Sequence, residues 1–179
     1  MLGEQSSPVL ILSGTVGAGK STILNEVHTL LERARVPHVC VDADALAMSW
    51  PARGAFNQIA VLDNLRSVWA NARAAGAERL VLACVVESRE DLDAYRRAVP
   101  GAQITVCQLV AREEVRKSRL RQRELGAGLE WHLQRTEELR QILEDAAVHD
   151  FSVINENRSV QDVAHEALAR AAWPVGQPG

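Results

Sequence analysis

Lysine is nearly missing from this chain. Of its 20 basic residues only Lys20 and Lys117 are lysines, and the rest are arginines. A lysine inside a glycine-rich loop is therefore not background. The net charge is −3 at neutral pH, so the broad basic field of a general nucleic-acid binder is absent. The three cysteines, Cys40, Cys84 and Cys107, form no C-x-x-C pair, and each sits in an apolar, strand-like run. That pattern predicts reduced, buried thiols in a cytoplasmic protein. No segment approaches about 18 apolar residues, and no basic stretch followed by an apolar run opens the chain, so neither a membrane span nor a secretory signal is expected. The five histidines are scattered, and none stands at metal-ligand spacing from a cysteine or carboxylate. There is no Ser/His/Asp arrangement, internal repeat, low-complexity block or N-K-x-D guanine motif. At 179 residues, 47% hydrophobic and 24% charged, the chain reads most simply as one globular domain with a sizeable core.

What is present is Gly14-Thr15-Val16-Gly17-Ala18-Gly19-Lys20-Ser21. It fits G-x-x-x-x-G-K-[ST], the phosphate-binding loop called Walker A. The preceding run, residues 8–13, is apolar and partly β-branched, a buried-strand signal. Residues 22–31 space their apolar side chains as a helix does. Strand, glycine turn and helix are the context the motif needs. Glycines let backbone N–H groups converge on phosphate oxygens, and the helix N-terminus adds its positive dipole end. Residues 14–22, Thr22 included, are thus the expected nucleotide-binding segment. Lys20 should reach the β- and γ-phosphates, and the Ser21 hydroxyl should face Mg²⁺.

Taken in order, the sequence predicts strands at 8–13, 38–41, 79–86, 104–110 and 151–154. Helices are expected at 20–35, 56–75, 89–98, 112–124, 130–147 and 160–172. Residues 1–7 and 174–179 read as loose ends, 46–58 as a loop or a helix interrupted by one, and Gly126-Ala127-Gly128 as a flexible break. Strands alternating with helices indicate a doubly wound parallel α/β sheet. Its ligand crevice lies beyond the carboxyl ends of the strands. Those ends carry the glycine loop, Asp42-Ala43-Asp44, Glu87, the residues after Val110 and the 155–158 turn.

Asp42 and Asp44 follow the second strand. In an extended chain, positions i and i+2 point to one side. One carboxylate could hold Mg²⁺ while the other accepts a proton from a hydroxyl. The competing role is a helix N-cap at Asp42 or Asp44. The 112–124 run places Arg112, Arg116, Arg119 and Arg123 on one helical face before a glycine break. Such a face is either solvated or a mobile lid whose guanidinium groups meet the transferring phosphoryl group. Glu87 either replaces a Walker B aspartate or caps a helix. Arg53 and Arg66 could bind an anionic substrate, and Trp50, Phe56 and Trp69 could line its pocket.

With these residues in place, the chain resembles the small P-loop kinases of the nucleoside-monophosphate-kinase-like group. It is most similar to the branch holding shikimate kinase, gluconate kinase, adenylylsulfate kinase and chloramphenicol phosphotransferase. The resemblance implies a P-loop NTPase three-layer α/β/α sandwich, with a five-stranded parallel sheet of order 2-3-1-4-5 and a small lid at about 112–130. It implies ATP and Mg²⁺ as cofactors and phosphoryl transfer to a small-molecule hydroxyl, by a monomer or homodimer. In that scheme Ser21 and Asp42 hold the metal, and Asp44 is the base. Lys20, Arg119 and Arg123 stabilise the transferred group, and Asp44, Arg53, Arg66 and Glu87 face the substrate. The glycine-rich turn that holds shikimate is absent from the third strand, so the reaction type carries over and the acceptor does not. Two readings of other classes compete: a nucleotide or polynucleotide kinase, and a regulatory ATPase without kinase chemistry.

Overall fold

The computed structural model describes residues 6–123 and 126–173. The expected loose ends at 1–5 and 174–179, and residues 124–125 of the expected lid, lie outside the described residues. The elements are β1 (Ser7–Ser13), α1 (Lys20–Arg33), β2 (His38–Asp42), α2 (Ala43–Leu46), α3 (Gln58–Ala74), β3 (Arg79–Ala83) and α4 (Arg89–Ala98). They continue with β4 (Ala102–Val110), α5 (Glu113–Arg123), α6 (Ala127–Ala146), β5 (Phe151–Ile154) and α7 (Val160–Arg170). The five strands form one parallel sheet in the order β2-β3-β1-β4-β5, as the resemblance implies. Among the described residues, no helix is long and apolar enough to cross a membrane.

Each inner strand sends alternate side chains into two cores, one on each face of the sheet. Leu10 and Leu12 of β1, Val81 and Ala83 of β3, and Cys107 and Leu109 of β4 pack with α1 and α7. Val9 and Ile11, Leu80 and Leu82, and Val106 face the other way, onto α3 and α4. The register Leu10↔Val81 and Ile11↔Leu82 keeps residues of one face side by side. This two-sided burial is why these strands read as continuous apolar runs.

Several boundaries differ from the sequence reading. Ser7 is part of β1, buried and paired with Ala102 of β4, so both strands begin earlier than expected. β3 stops at Ala83 rather than at residue 86. The Val86 N–H donates to the side-chain hydroxyl of Ser13 in β1 (3.2 Å) rather than to a backbone carbonyl, so the chain leaves the ladder while Val86 stays buried. The expected 46–58 loop holds a 3-10 turn at Ala55–Asn57. Asn57 is buried and ties this loop together, donating to the Ala47 carbonyl and the Ser49 hydroxyl, each at 2.7 Å.

All three cysteines are free thiols. Cys84 and Cys107 are buried, and Cys40 is half-buried. Desolvation pushes each thiol up to about 12, which keeps it protonated at neutral pH. The histidines are not all scattered, as the sequence reading had it. His28 of α1 meets His38 of β2, and Cys40 lies beside them. Strand alternation puts His38 and Cys40, two residues apart, on the same face, and the short turn after α1 folds His28 back onto them.

Helix α4 shows how the fold sets the crevice rim. Ser88 is its N-cap: the hydroxyl accepts from the Asp91 N–H (3.2 Å), and Asp91 accepts from the N–H groups of Glu87 (2.9 Å) and Ser88 (3.1 Å). This reciprocal box fixes the backbone that presents Glu87. Ser88→Ala is expected to lower stability by about 1 kcal/mol, the usual loss for an N-cap. The measure is a lower urea midpoint at unchanged slope.

Candidate active site

The glycine loop joins β1 to α1 and is closed in by distant elements. At Gly17 (φ +80°) a Cβ would meet the Arg116 carbonyl of α5 at 2.9 Å. At Gly19 (φ +93°) it would meet Asn155 Nδ2 at 2.5 Å. Both positions need a left-handed backbone and have no room for a side chain. Asn155, buried, donates to the Ala18 carbonyl (2.7 Å), and the fully buried Thr136 of α6 donates its hydroxyl to the Val16 carbonyl (2.7 Å). Lys20 Nζ donates to the Gly14 and Thr15 carbonyls at 3.0 and 3.1 Å, so its charge sits inside the loop.

Ser21 Oγ donates to Asp42 Oδ2 at 2.6 Å, across the gap between α1 and β2. The other oxygen, Asp42 Oδ1, accepts from the Asp44 N–H (3.1 Å) and so caps α2. The capping bond and the bond from Ser21 thus fall on the two oxygens of one carboxylate. Asp44 is not in extended chain, as the i, i+2 argument assumed. It lies in the first turn of α2, and its carboxylate still lines the crevice.

The crevice has a volume of about 1060 Å³. Val16, Gly17, Gly19, Lys20, Ser21 and Thr22 form one wall, joined by Asp44 and Arg119. Phe56, Cys84, Glu87, Tyr95, Trp131, His132 and Arg135 are among the residues that line the rest. Glu87 does not cap α4, a role taken by Ser88. Its carboxylate pairs with the Arg135 guanidinium, which also lies over the Phe56 ring at 5.2 Å. Below them, desolvation raises the Tyr95 phenol well above its usual range, and Tyr95 hydrogen-bonds Cys84. This corner of the crevice carries the Glu87–Arg135 pair and lies close to the carboxylates of Asp91 and Asp44.

The expected arginine face is divided. Arg112 binds Glu156 through its backbone N–H and its Nε, both at 2.8 Å, and the carboxyl of Glu156 is held below its ordinary range chiefly by that backbone N–H. Arg116 is buried and donates to the Ala111 carbonyl (2.7 Å). Arg119 alone of these three lines the crevice, donating to the carbonyls of Asn155 (2.8 Å) and Gly17 (3.4 Å). Arg123 ends α5, and its side chain lies outside the described residues. Arg53 and Arg66 do not reach the crevice. Both pair with Asp63 on the exposed side of α3, and their hydrogen bonds hold the Asp63 carboxyl below its usual range. Trp50 is exposed and Trp69 lies in the core, so of the three proposed aromatic walls only Phe56 is placed at the crevice.

Arg135, Thr136 and Asn155 carry much of the site and were not singled out from the sequence. Thr136 did leave a signal: it stands three and seven residues before Leu139 and Leu143 on the buried stripe of α6, a polar residue where an apolar one is expected.

No family model matches the chain, and no curated protein matches it in sequence. Solved structures do. The tunicamycin resistance protein of Deinococcus radiodurans superposes with a TM-score of 0.65 at 18% identity, covering 96% of this chain and 99% of that one. The chain has the P-loop kinase fold. A gluconokinase from Sinorhizobium meliloti gives 0.57 at 22% identity, over 94% of this chain and 92% of its own. Shikimate kinase from Acinetobacter baumannii, solved with shikimate, gives 0.56 at 14% identity, over 93% of each chain. The P-loop kinase architecture therefore spans nearly all of this chain.

Asn155→Ala removes a buried donor and leaves the Ala18 carbonyl unpaired. It is expected to cost roughly 1–3 kcal/mol of stability in chemical denaturation. Arg53→Ala, which breaks only an exposed pair, should change stability by less than about 0.5 kcal/mol.

Proposed function

We propose that this chain is an ATP-dependent phosphotransferase that moves the γ-phosphoryl group of ATP to a hydroxyl of a small molecule, a metabolite or an antibiotic. The observation that carries the reading is the meeting of Ser21 and Asp42 at 2.6 Å beside Lys20, on the same wall as Asp44. A crevice of about 1060 Å³ stands at the upper end of the ~300–1,000 Å³ typical of ligand pockets. It has room for a nucleotide together with an acceptor.

The residues fit the groups this requires. Mg²⁺ is a hard cation that takes oxygen ligands, and the Ser21 hydroxyl and Asp42 Oδ2, which now bond each other, would supply two once that bond opens. When bound, Mg²⁺ neutralises charge on the β- and γ-phosphate oxygens. The loop amides and Lys20 bind and orient those phosphates. Asp44 takes the proton of the acceptor hydroxyl. The hydroxyl oxygen then bonds to the γ-phosphorus while the bond to the bridging oxygen breaks and its electron pair leaves with ADP. Arg119 and Arg123, at the end of α5, balance the charge spread over the transferred group and help exclude water. The acceptor lies against Glu87, Arg135 and Phe56, a carboxylate, a guanidinium and an aromatic face suited to a hydroxylated molecule.

The test is an ATP-consumption screen over sugars, shikimate-like acids, nucleosides and antibiotics, confirmed by a mass gain of one phosphoryl group. Asp44→Asn should bind ATP as the native chain does and turn over roughly 10²–10⁴-fold more slowly. Full activity of that variant removes Asp44 from the mechanism. Slow ATP hydrolysis that no acceptor accelerates would overturn the kinase reading in favour of a regulatory ATPase.

A further inference from the structure

Away from the crevice, α1 and β2 gather three soft donor atoms. Among the described residues, His28, His38 and Cys40 are the one group of three potential ligands whose donor atoms all lie within 4.8 Å of one another. We propose that these three side chains form a Zn²⁺ site that clamps α1 to the edge strand β2.

His38 is already oriented as a ligand. Its Nδ1 lies 2.7 Å from the Val36 carbonyl, which fixes that nitrogen as the N–H donor and leaves the Nε2 lone pair for another partner. A backbone carbonyl holding the far side of a ligating imidazole is the usual outer-shell arrangement of metal-bound histidines. Nε2 points at His28 Nδ1, 2.9 Å away, with the rings tilted by 54°. Without a metal, one proton bridges the two nitrogens. Two nitrogens bound to tetrahedral zinc at ~2.0–2.1 Å lie about 3.3 Å apart, so the rings need part by only a few tenths of an ångström.

Cys40 is the third donor. It shares a strand face with His38 and packs partly into the core under α1. Two imidazoles and one thiolate make a set that selects zinc over the oxygen-seeking Mg²⁺. His28 is exposed, so the fourth position opens to solvent and takes a water. On binding, the Cys40 S–H bond breaks, its electron pair goes to the metal, and the proton passes to buffer. The proton between the imidazoles moves to the solvent-facing Nε2 of His28, so one proton is released in all. His28 stands eight residues beyond Lys20, about 12 Å along α1, and Cys40 stands two residues before Asp42. The clamp thus joins the two elements that deliver the residues proposed to bind phosphate and cation, at points set back from the crevice.

The test is titration of the reduced, tag-free chain with Co²⁺ as a spectroscopic probe, in excess Mg²⁺ so that oxygen sites are filled. The expected result is saturation at one Co²⁺ per chain, with a thiolate-to-cobalt charge-transfer band and the intense visible bands of a tetrahedral site. Binding of Co²⁺ to the metal-free chain should release one proton, and Zn²⁺ should then bleach both bands with no further proton release. Cys40→Ser should abolish the charge-transfer band, while Cys84→Ser and Cys107→Ser keep it. His28→Ala changes an exposed side chain that the fold does not need. It should weaken binding by more than about 100-fold, beyond the ~10–100-fold lost with an outer-shell partner. Zn²⁺ should also raise the melting temperature of the native chain and leave that of His28→Ala unchanged. Absence of a saturable band, or a band that survives Cys40→Ser or keeps its affinity in His28→Ala, overturns the proposal.

Discussion

The backbone carbonyls of the glycine loop are gripped from several directions, and the rest of the crevice is arranged around that grip. Thr136 of α6 holds Val16, Asn155 after β5 holds Ala18, and Arg119 of α5 bridges Gly17 and Asn155. Loop amides can converge on an anion only if their carbonyls are turned outward and satisfied elsewhere. These side chains provide that satisfaction. The α5–α6 unit is therefore part of what gives the glycine loop its shape.

A second constraint is the division of labour within single groups. Asp42 uses one oxygen to start α2 and the other to meet Ser21. The cap orients the carboxylate, so its second oxygen is held toward the Ser21 hydroxyl. Arg135 is similarly doubled: its charge is taken up by Glu87 while its plane covers Phe56. Such pairings hold this side of the crevice in shape, with the Glu87 and Arg135 charges balanced against each other.

The parts legible in the sequence are those whose information is local. The glycine loop occupies eight consecutive residues. Strands buried on both faces are unbroken apolar runs, and Ser159 announces α7 as its N-cap. Asp42 and Asp44 were legible as a pair, though the backbone linking them is a helix start rather than extended chain. What stayed hidden was made by distance along the chain. Glu87 and Arg135 are 48 residues apart, Thr136 and Val16 are 120 apart, and Asn155 and Ala18 are 137 apart. Periodicity reports which face of an element is buried, not what it is buried against. The same limit concealed the approach of His28 to His38 and Cys40. It also made a continuous stripe of arginines whose members end on Glu156, in the interior and at the crevice.

The strand order has a thermal consequence. β1, which feeds the glycine loop, is central and paired on both sides, whereas β2, which ends in Asp42, pairs only with β3. Rim strands open by local fluctuation at lower free energy than central ones. On warming, the carboxylate that meets Ser21 is released before the glycine loop loosens, so the rim of the sheet gives way ahead of global melting. Whatever braces the rim of the sheet widens the range over which this chain can work.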